Sequence, residues 1–158
     1  IKIMNNVDVV LDCNLWKKKI KNPTKYINNK LLKLGKLNMF RNKPKNHTVF
    51  LTNNKKMKAL NKKFRNKNKH TDILSFPFKQ KTKNQKEIYL GDIIISYNYI
   101  NKPKYQGKKE FKKKTIKIFI HGFLHLLGHD HQKNREYKQM LNEEKKIFRS
   151  IEKTSILN

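Results

Sequence analysis

Four of the six histidines in the chain lie within the segment IHGFLHLLGHDHQ, residues 120–132. His121 and His125 are four residues apart, so on a helix both side chains project from one face, one turn apart. Gly128 stands where the left-handed conformation of a C-terminal cap would end that helix and bring His131 back toward the other two. Three neutral imidazoles without a thiolate are typical of a catalytic zinc site whose fourth ligand is water. We therefore expect His121, His125 and His131 to bind one Zn²⁺ per chain.

The spacing H-x-x-x-H-x-x-G-x-x-H is also found in a long zinc-peptidase motif, in which glutamate follows the first histidine. Here that position is Gly122. The glutamate is the general base of the peptidases, so its replacement disfavours peptide hydrolysis while the metal ligands remain. A peptidase-like zinc hydrolase stays open as an alternative, as does a set of ordinary core histidines.

The chain is strongly basic. Its 158 residues include 39 lysines and arginines against 11 acidic residues, which gives a formal net charge of +28. Such a charge attracts nucleic acid or an anionic membrane surface. Lysine, asparagine and isoleucine are abundant, whereas arginine occurs only at positions 41, 65, 135 and 149. We assign part of the excess charge to the compositional bias of an AT-rich genome, so charge alone indicates RNA or DNA without naming a site.

The use of cysteine indicates a reducing compartment, and the hydropathy pattern indicates a chain without a membrane span. Cys13 is the single cysteine, which rules out an internal disulfide and fits a small buried side chain in the cytosol. No apolar run approaches the roughly 18–20 residues that span a bilayer, and the first residues, IKIMNNVDVV, lack a signal-peptide layout. We expect a cytoplasmic protein without a membrane partner.

Hydrophobic periodicity predicts elements in the order βαβαββαα. The strands are expected at 7–11, 47–52, 73–78 and 89–96, and the helices at 23–34, 54–64, 111–127 and 134–152. Gly35 is expected to end the first helix, and Pro77 indicates an edge strand or a strand end. The order predicts an α/β (α+β) fold in a single domain over 1–158. We expect a small mixed four-stranded sheet packed with about four to five helices, with a buried central helix that carries the histidine motif.

Three segments of the chain, in fixed order, carry a resemblance to one family. They are Leu60-Asn61-x-x-Phe64-Arg65 followed by Thr71-Asp72-Ile73-Leu74-Ser75-Phe76-Pro77, then Leu90-Gly91-Asp92-Ile93, and then His121-Gly122-x-Leu124-His125-Leu126-x-Gly128-x-Asp130-His131. The last segment resembles the signature of the YbeY family, bacterial zinc-dependent endoribonucleases that mature ribosomal RNA, and the other two resemble further blocks of that family. His129 departs from the signature, because an aromatic residue is more common at this position.

The resemblance implies a single-strand-specific endoribonuclease that processes the 3′ end of 16S ribosomal RNA and acts in ribosome quality control. Its partners would be ribosomal RNA and the small ribosomal subunit, and no organic cofactor would be needed. The resemblance also implies that Arg65 lines the active cleft, where its planar guanidinium suits a phosphate. A non-catalytic ribosome-assembly factor that binds RNA by its charge and uses the metal for stability stays open as an alternative.

The roles of several neighbouring polar residues are left open by the sequence. Asp130 could orient a ligand histidine through the second ring nitrogen, or it could close the turn after Gly128. His129 could carry a proton, although an idle surface position is the preferred interpretation. Asp72 and Asp92 are expected at strand starts, as turn or capping residues.

Overall fold

Within residues 7–33, 45–79 and 88–153, which the computed structural model describes, four strands form one mixed sheet. The strands are β1 (Val7–Leu11), β2 (Lys45–Thr52), β3 (Ile73–Pro77) and β4 (Ile88–Ser96). They lie in the order β1-β2-β4-β3, with β1, β2 and β4 parallel and β3 antiparallel to β4. The predicted mixed sheet is confirmed. Pro77, which has no backbone N–H, ends an edge strand.

The same residues contain five α-helices, which are α1 (Pro23–Leu32), α2 (Asn54–Arg65), α3 (Tyr97–Ile100), α4 (Lys108–Leu126) and α5 (Asn134–Lys153). The four predicted helices are present. Side-chain caps fix two of their starts, because Asn22 and Asn53 accept hydrogen bonds from backbone N–H groups three residues on. The predicted end of the first helix, Leu34 and Gly35, lies outside the described residues.

Two short elements were not predicted from the sequence. A 3-10 helix covers Asn14–Lys18, and α3 forms a single turn directly after β4. Each is too short to show a helical period. The 3-10 helix nevertheless places Trp16 fully in the core, where its indole N–H donates to the carbonyl of Thr52 at 3.0 Å.

The central helix is α4, which packs on β3, β4 and α5. Its buried side chains include Phe111, Ile116, Phe119, Phe123 and Leu124. The helix begins at Lys108, three residues before the predicted start, because lysine is a good helix former and extends the first turn. The described residues contain no helix with the length and hydropathy of a membrane span. The prediction of a buried central helix with the histidines at its C-terminal end is confirmed.

Among the described residues, α2 covers part of the opposite face of the sheet. Met57, Leu74 and Ile94 form a small second core there, and other apolar side chains pack against it while staying partly accessible. Phe64, on the same helix, is 59% exposed. This face therefore retains apolar surface in contact with solvent.

The position of Asp92 differs from the prediction. Asp92 lies inside β4, whose first residue is Ile88, and its carboxylate accepts a hydrogen bond from the Tyr89 hydroxyl. The preceding Gly91 has a φ of +135°, and the pairing of β2 with β4 shifts register beside it. Glycine therefore marks a bulge within the strand, and Asp92 lies directly after that bulge instead of at the strand start.

Candidate metal centre

The end of α4 is a Schellman motif that turns the chain back under the helix. Gly128 has a φ of +95°. Its N–H donates to the carbonyl of His125, and the N–H of His129 donates to the carbonyl of Leu124, both at 3.0 Å. The predicted glycine cap is confirmed. Because the reversal takes only a few residues, His131 comes to lie beside the last turn of the helix.

The rings of the three predicted ligands converge. One nitrogen each from His121, His125 and His131 lies within 4.8 Å of the others. The ring centroids are 4.8 Å apart for His121 and His125, 5.0 Å for His125 and His131, and 5.6 Å for His121 and His131. This group could hold a metal ion.

Hydrogen bonds fix which nitrogen of two rings faces the centre. Nδ1 of His121 lies 2.6 Å from Oε1 of Glu144, and Nδ1 of His125 lies 2.9 Å from the carbonyl oxygen of His129. Both partners are acceptors, so each Nδ1 carries the proton and each Nε2 presents a lone pair. The two Nε2 atoms are 3.2 Å apart. Tetrahedral zinc with ligands at 2.0–2.1 Å requires about 3.3 Å between two nitrogens, so the spacing of His121 and His125 suits the ion.

The environment of His125 favours the neutral form that binds metal. Burial lowers the pKa of His125, and the neighbouring His121 lowers it further. The backbone carbonyl of His129 and the carboxylate of Asp130 act in the opposite direction and do not outweigh these effects. His125 is therefore held ready to donate a lone pair.

Glu144 is the residue at this site that sequence reasoning missed. It reaches His121 from α5, 23 residues further along the chain, so no local spacing rule connects the two. A signal was present, because Glu144 shares the buried face of α5 with Met140, Ile147 and Ile151. A carboxylate on the apolar face of an amphipathic helix indicates a buried partner.

Asp130 and His129 lie in the turn after α4, and neither belongs to the group of three ligand histidines. Asp130 accepts a hydrogen bond from the backbone N–H of His131 at 2.7 Å, which supports its interpretation as a turn residue. The ring partners of His121 and His125 are Glu144 and the His129 carbonyl instead. His129 contributes that carbonyl, and whether its side chain carries a proton stays a prediction.

Gly122 is packed so closely that a larger residue cannot replace it without movement. The hydroxyl of Ser75 donates to the carbonyl of Gly122 at 3.2 Å. A Cβ at this position would lie 2.9 Å from that hydroxyl oxygen and would collide with the Ile73 side chain. The place of the peptidase glutamate is therefore occupied by the edge strand β3.

A cleft of about 750 Å³ joins the histidines to a basic wall formed by Arg65 and Lys67. Arg65 is the last residue of α2, which ends there because Asn66 adopts a left-handed conformation, with a φ of +54°. The guanidinium of Arg65 donates to the carbonyl of Ser75 at 3.0 Å. Asp72 also lines the cleft and caps the start of β3 by accepting from the N–H of Ile73 at 2.8 Å. The predicted residues His121, His125, His131 and Arg65 thus line one cleft.

A comparison with protein families matches residues 11–152 to a model described as Endoribonuclease YbeY. The chain belongs to the YbeY family. The resemblance seen in the histidine signature is confirmed, and the match extends beyond it on both sides.

Individual YbeY proteins show how far the similarity extends. Endoribonuclease YbeY of Pelagibacter ubique (strain HTCC1062) is 53% identical over 148 residues, which cover 94% of this chain and 97% of that protein. Endoribonuclease YbeY of Persephonella marina is 37% identical over 84 residues, or 52% of this chain and 55% of that protein. The similarity to the second relative is therefore confined to about half of each chain.

A solved structure supports the fold. The solution structure of TM1509 from Thermotoga maritima aligns with 92% of this chain and 89% of its own, with a TM-score of 0.53 and 23% sequence identity. At this identity the likeness shows a shared fold. The mixed α/β architecture predicted from the sequence agrees with it.

Proposed function

We propose that the chain is a metal-dependent endoribonuclease that cleaves single-stranded RNA, with Zn²⁺ held by His121, His125 and His131. The observation that carries the proposal is the convergence of the three rings, two of them fixed in the ligating tautomer. The names of the YbeY relatives supply the substrate class. The net charge of +28 suits a polyanionic substrate.

The residues of the chain have separable roles in this proposal. When bound, zinc lowers the pKa of a coordinated water to about 7 and polarises a phosphoryl oxygen. Glu144 and the His129 carbonyl hold the two helix histidines in position through Nδ1. Arg65 uses one N–H to bond Ser75, and a guanidinium has five such donors, so the others can bind a phosphate in the cleft.

The finer parts of the function follow from the resemblance. Ribosomal RNA, and the 3′ end of 16S ribosomal RNA in particular, is the proposed substrate, in the context of the small ribosomal subunit and its quality control. A cytoplasmic location fits the single buried, unpaired cysteine, Cys13. We further propose that 1–158 act as one domain.

Two alternatives are less consistent with the site. A zinc peptidase needs a general base beside the first ligand, and the packing of Gly122 against β3 leaves no room for one. A non-catalytic RNA-binding factor that uses the metal for stability would need four protein ligands, whereas the ligand group within the described residues consists of three histidines. The convergence of the rings therefore favours the hydrolase.

The test combines metal analysis with RNA cleavage for four proteins, namely the wild type, His125→Ala, Arg65→Ala and His129→Ala. We expect His125→Ala to stay folded but to lose both zinc and cleavage. Arg65→Ala should retain zinc and cleave about a hundredfold more slowly, since it removes a donor to the developing phosphate charge. His129→Ala changes a histidine of the same turn that lies outside the trio, and we expect it to retain zinc and the wild-type cleavage rate, as an idle surface position would.

The alternatives give different results in the same experiment. A peptidase would cleave an unstructured protein such as casein and leave RNA intact. If the protein is a binding factor, His125→Ala should have a lower melting temperature than the wild type but should still support processing of precursor RNA. A folded, zinc-free His125→Ala protein that still cleaves RNA at the wild-type rate would refute the proposed mechanism.

A further inference from the structure

A partly open groove lies on the face of the sheet that α4 does not cover. Its volume is about 440 Å³, within the range of about 300–1,000 Å³ typical of small-ligand sites. We call it the aromatic groove, and it is lined by Phe50, Leu60, Phe64, Phe76 and Ile94, with Thr48, Lys56 and Asp92 at its polar parts. It is distinct from the histidine cleft, with which it shares none of these residues.

Aromatic rings in and beside this groove are open to solvent. Phe64 is 59% exposed, and its ring centroid lies 5.5 Å from that of Phe76 at an interplanar angle of 59°. Phe78 and Tyr89, which are 44% and 37% exposed, form a second pair with centroids 5.6 Å apart. The Tyr89 hydroxyl bonds to Thr48 and Asp92, so this pair borders the groove. Exposed ring faces of this kind are platforms on which nucleobases stack.

Cations lie over two of these rings, Phe64 and Phe76. Nζ of Lys63 lies 5.3 Å from the centroid of Phe64, and Cζ of Arg65 lies 5.3 Å from that of Phe76. Lys56 lines the groove itself. Within the described part of the chain, the lining contains a single carboxylate, Asp92, which accepts a hydrogen bond from the Tyr89 hydroxyl. Apolar rings set among cations match a base and its phosphates better than they match a purely apolar partner.

Arg65 connects the groove to the histidine cleft. Its side chain lines the cleft, and its guanidinium also stacks over Phe76 in the groove. A phosphate held at Arg65 would therefore lie where the histidine cleft and the aromatic groove meet. This continuity favours a nucleic acid strand as the occupant, because one strand can fill both sites.

We propose that the aromatic groove is a nucleobase subsite for single-stranded RNA, adjacent to the phosphate at Arg65. This inference rests on the proposed function for the nature of the ligand. Phe64 stacks on the base, while Lys63 and Lys56 lie near the flanking phosphates. The sequence showed no aromatic base-stacking motif, because the rings come from different elements, α2 and the strands beneath it.

The experiment measures binding of a fluorescent single-stranded RNA oligonucleotide by anisotropy at one salt concentration, without added metal. It compares the wild type with Phe64→Ala and with the control Tyr105→Ala, which removes a 91% exposed aromatic residue outside the groove. We expect Phe64→Ala to weaken binding about tenfold, as the loss of one stacked base does, with Tyr105→Ala unchanged. Circular dichroism establishes that both variants are folded.

A second oligonucleotide with abasic positions identifies the contact as one to a base. The wild type should bind it about tenfold more weakly than the normal RNA, whereas Phe64→Ala should bind both alike. Unchanged RNA affinity in Phe64→Ala, or an equal loss on both oligonucleotides, overturns the proposal. A change in self-association in sedimentation, with unchanged RNA affinity, also overturns it and indicates a protein partner.

The outcome is separable from that of the proposed function. Cleavage by the metal-loaded wild type with normal RNA binding by Phe64→Ala leaves the nuclease standing and removes the subsite. Selective loss of base binding in Phe64→Ala without any cleavage by the wild type leaves the subsite and removes the nuclease.

Discussion

Replacement of Glu144 should weaken zinc binding, although Glu144 contacts the ligand His121 and not the metal itself. Its carboxylate accepts from Nδ1 of His121 at 2.6 Å, and the two side chains are only 22% and 28% exposed. A charge-assisted hydrogen bond of this kind contributes about 1.5–3 kcal/mol, and removal of such a partner typically lowers metal affinity about 10- to 100-fold. We therefore expect zinc to bind Glu144→Ala about 10- to 100-fold more weakly than the wild type.

Two further variants separate orientation from general electrostatics. Glu144→Gln keeps an oxygen that can accept from Nδ1 but loses the charge, so its affinity should lie between those of the wild type and Glu144→Ala. Glu143→Gln removes the neighbouring carboxylate, which pairs at the surface with Lys146 at 3.0 Å. We expect this control to change zinc affinity less than about twofold, because an exposed pair contributes little.

The assay is competition for zinc against a chromophoric chelator, which reports affinity without any dependence on RNA cleavage. Circular dichroism checks that each variant is folded. If folded Glu144→Ala holds zinc within twofold of the wild type, or if Glu143→Gln weakens binding as much, the assignment of Glu144 as a positioning residue is wrong.

Two other predictions concern stability. Gly122→Ala should lower the free energy of unfolding by about 1–3 kcal/mol in urea denaturation, because its Cβ would collide with Ile73; Gly107→Ala, with open space around its Cβ, should change it by less than 1 kcal/mol. His47 is 3% exposed, its ring nitrogens have no hydrogen-bond partner among the described residues, and burial lowers its pKa to about 4 from 6.5. In the unfolded chain this histidine binds a proton near pH 6.5, whereas in the folded chain it does so only near pH 4. The free energy of unfolding should therefore fall by about 3 kcal/mol as the pH is lowered from 6.5 to 4. His47→Val should remove this part of the pH dependence in urea titrations between pH 7 and 4, and an identical slope in both proteins would contradict the assignment.

The features that the sequence predicted are those encoded locally. The spacing of His121 and His125, and the glycine three residues after the second, specify a helix face and its cap, and both form as expected. The strands and long helices follow from hydrophobic period. Pro77 indicated its edge position because proline lacks the N–H that an inner strand requires.

The features that the sequence did not predict depend on contacts between distant elements. Glu144 meets His121 only after α5 docks on α4. The bulge at Gly91 forms only when β4 pairs with β2, so the sequence pattern does not predict the position of Asp92 beside it. The aromatic groove arises from packing of α2 against the sheet, and no linear pattern joins Phe64 to Phe76.

Because Glu144 lies on α5, its hydrogen bond to His121 forms only after α5 has docked on α4. During synthesis, the basic wall around Arg65 is made before α4, and α4 before α5. A nascent chain in which α5 has not yet docked therefore carries the charge that attracts RNA. In that chain His121 still lacks the Glu144 carboxylate that orients its ring. The residues that attract RNA are thus synthesised first, and the metal centre is completed last.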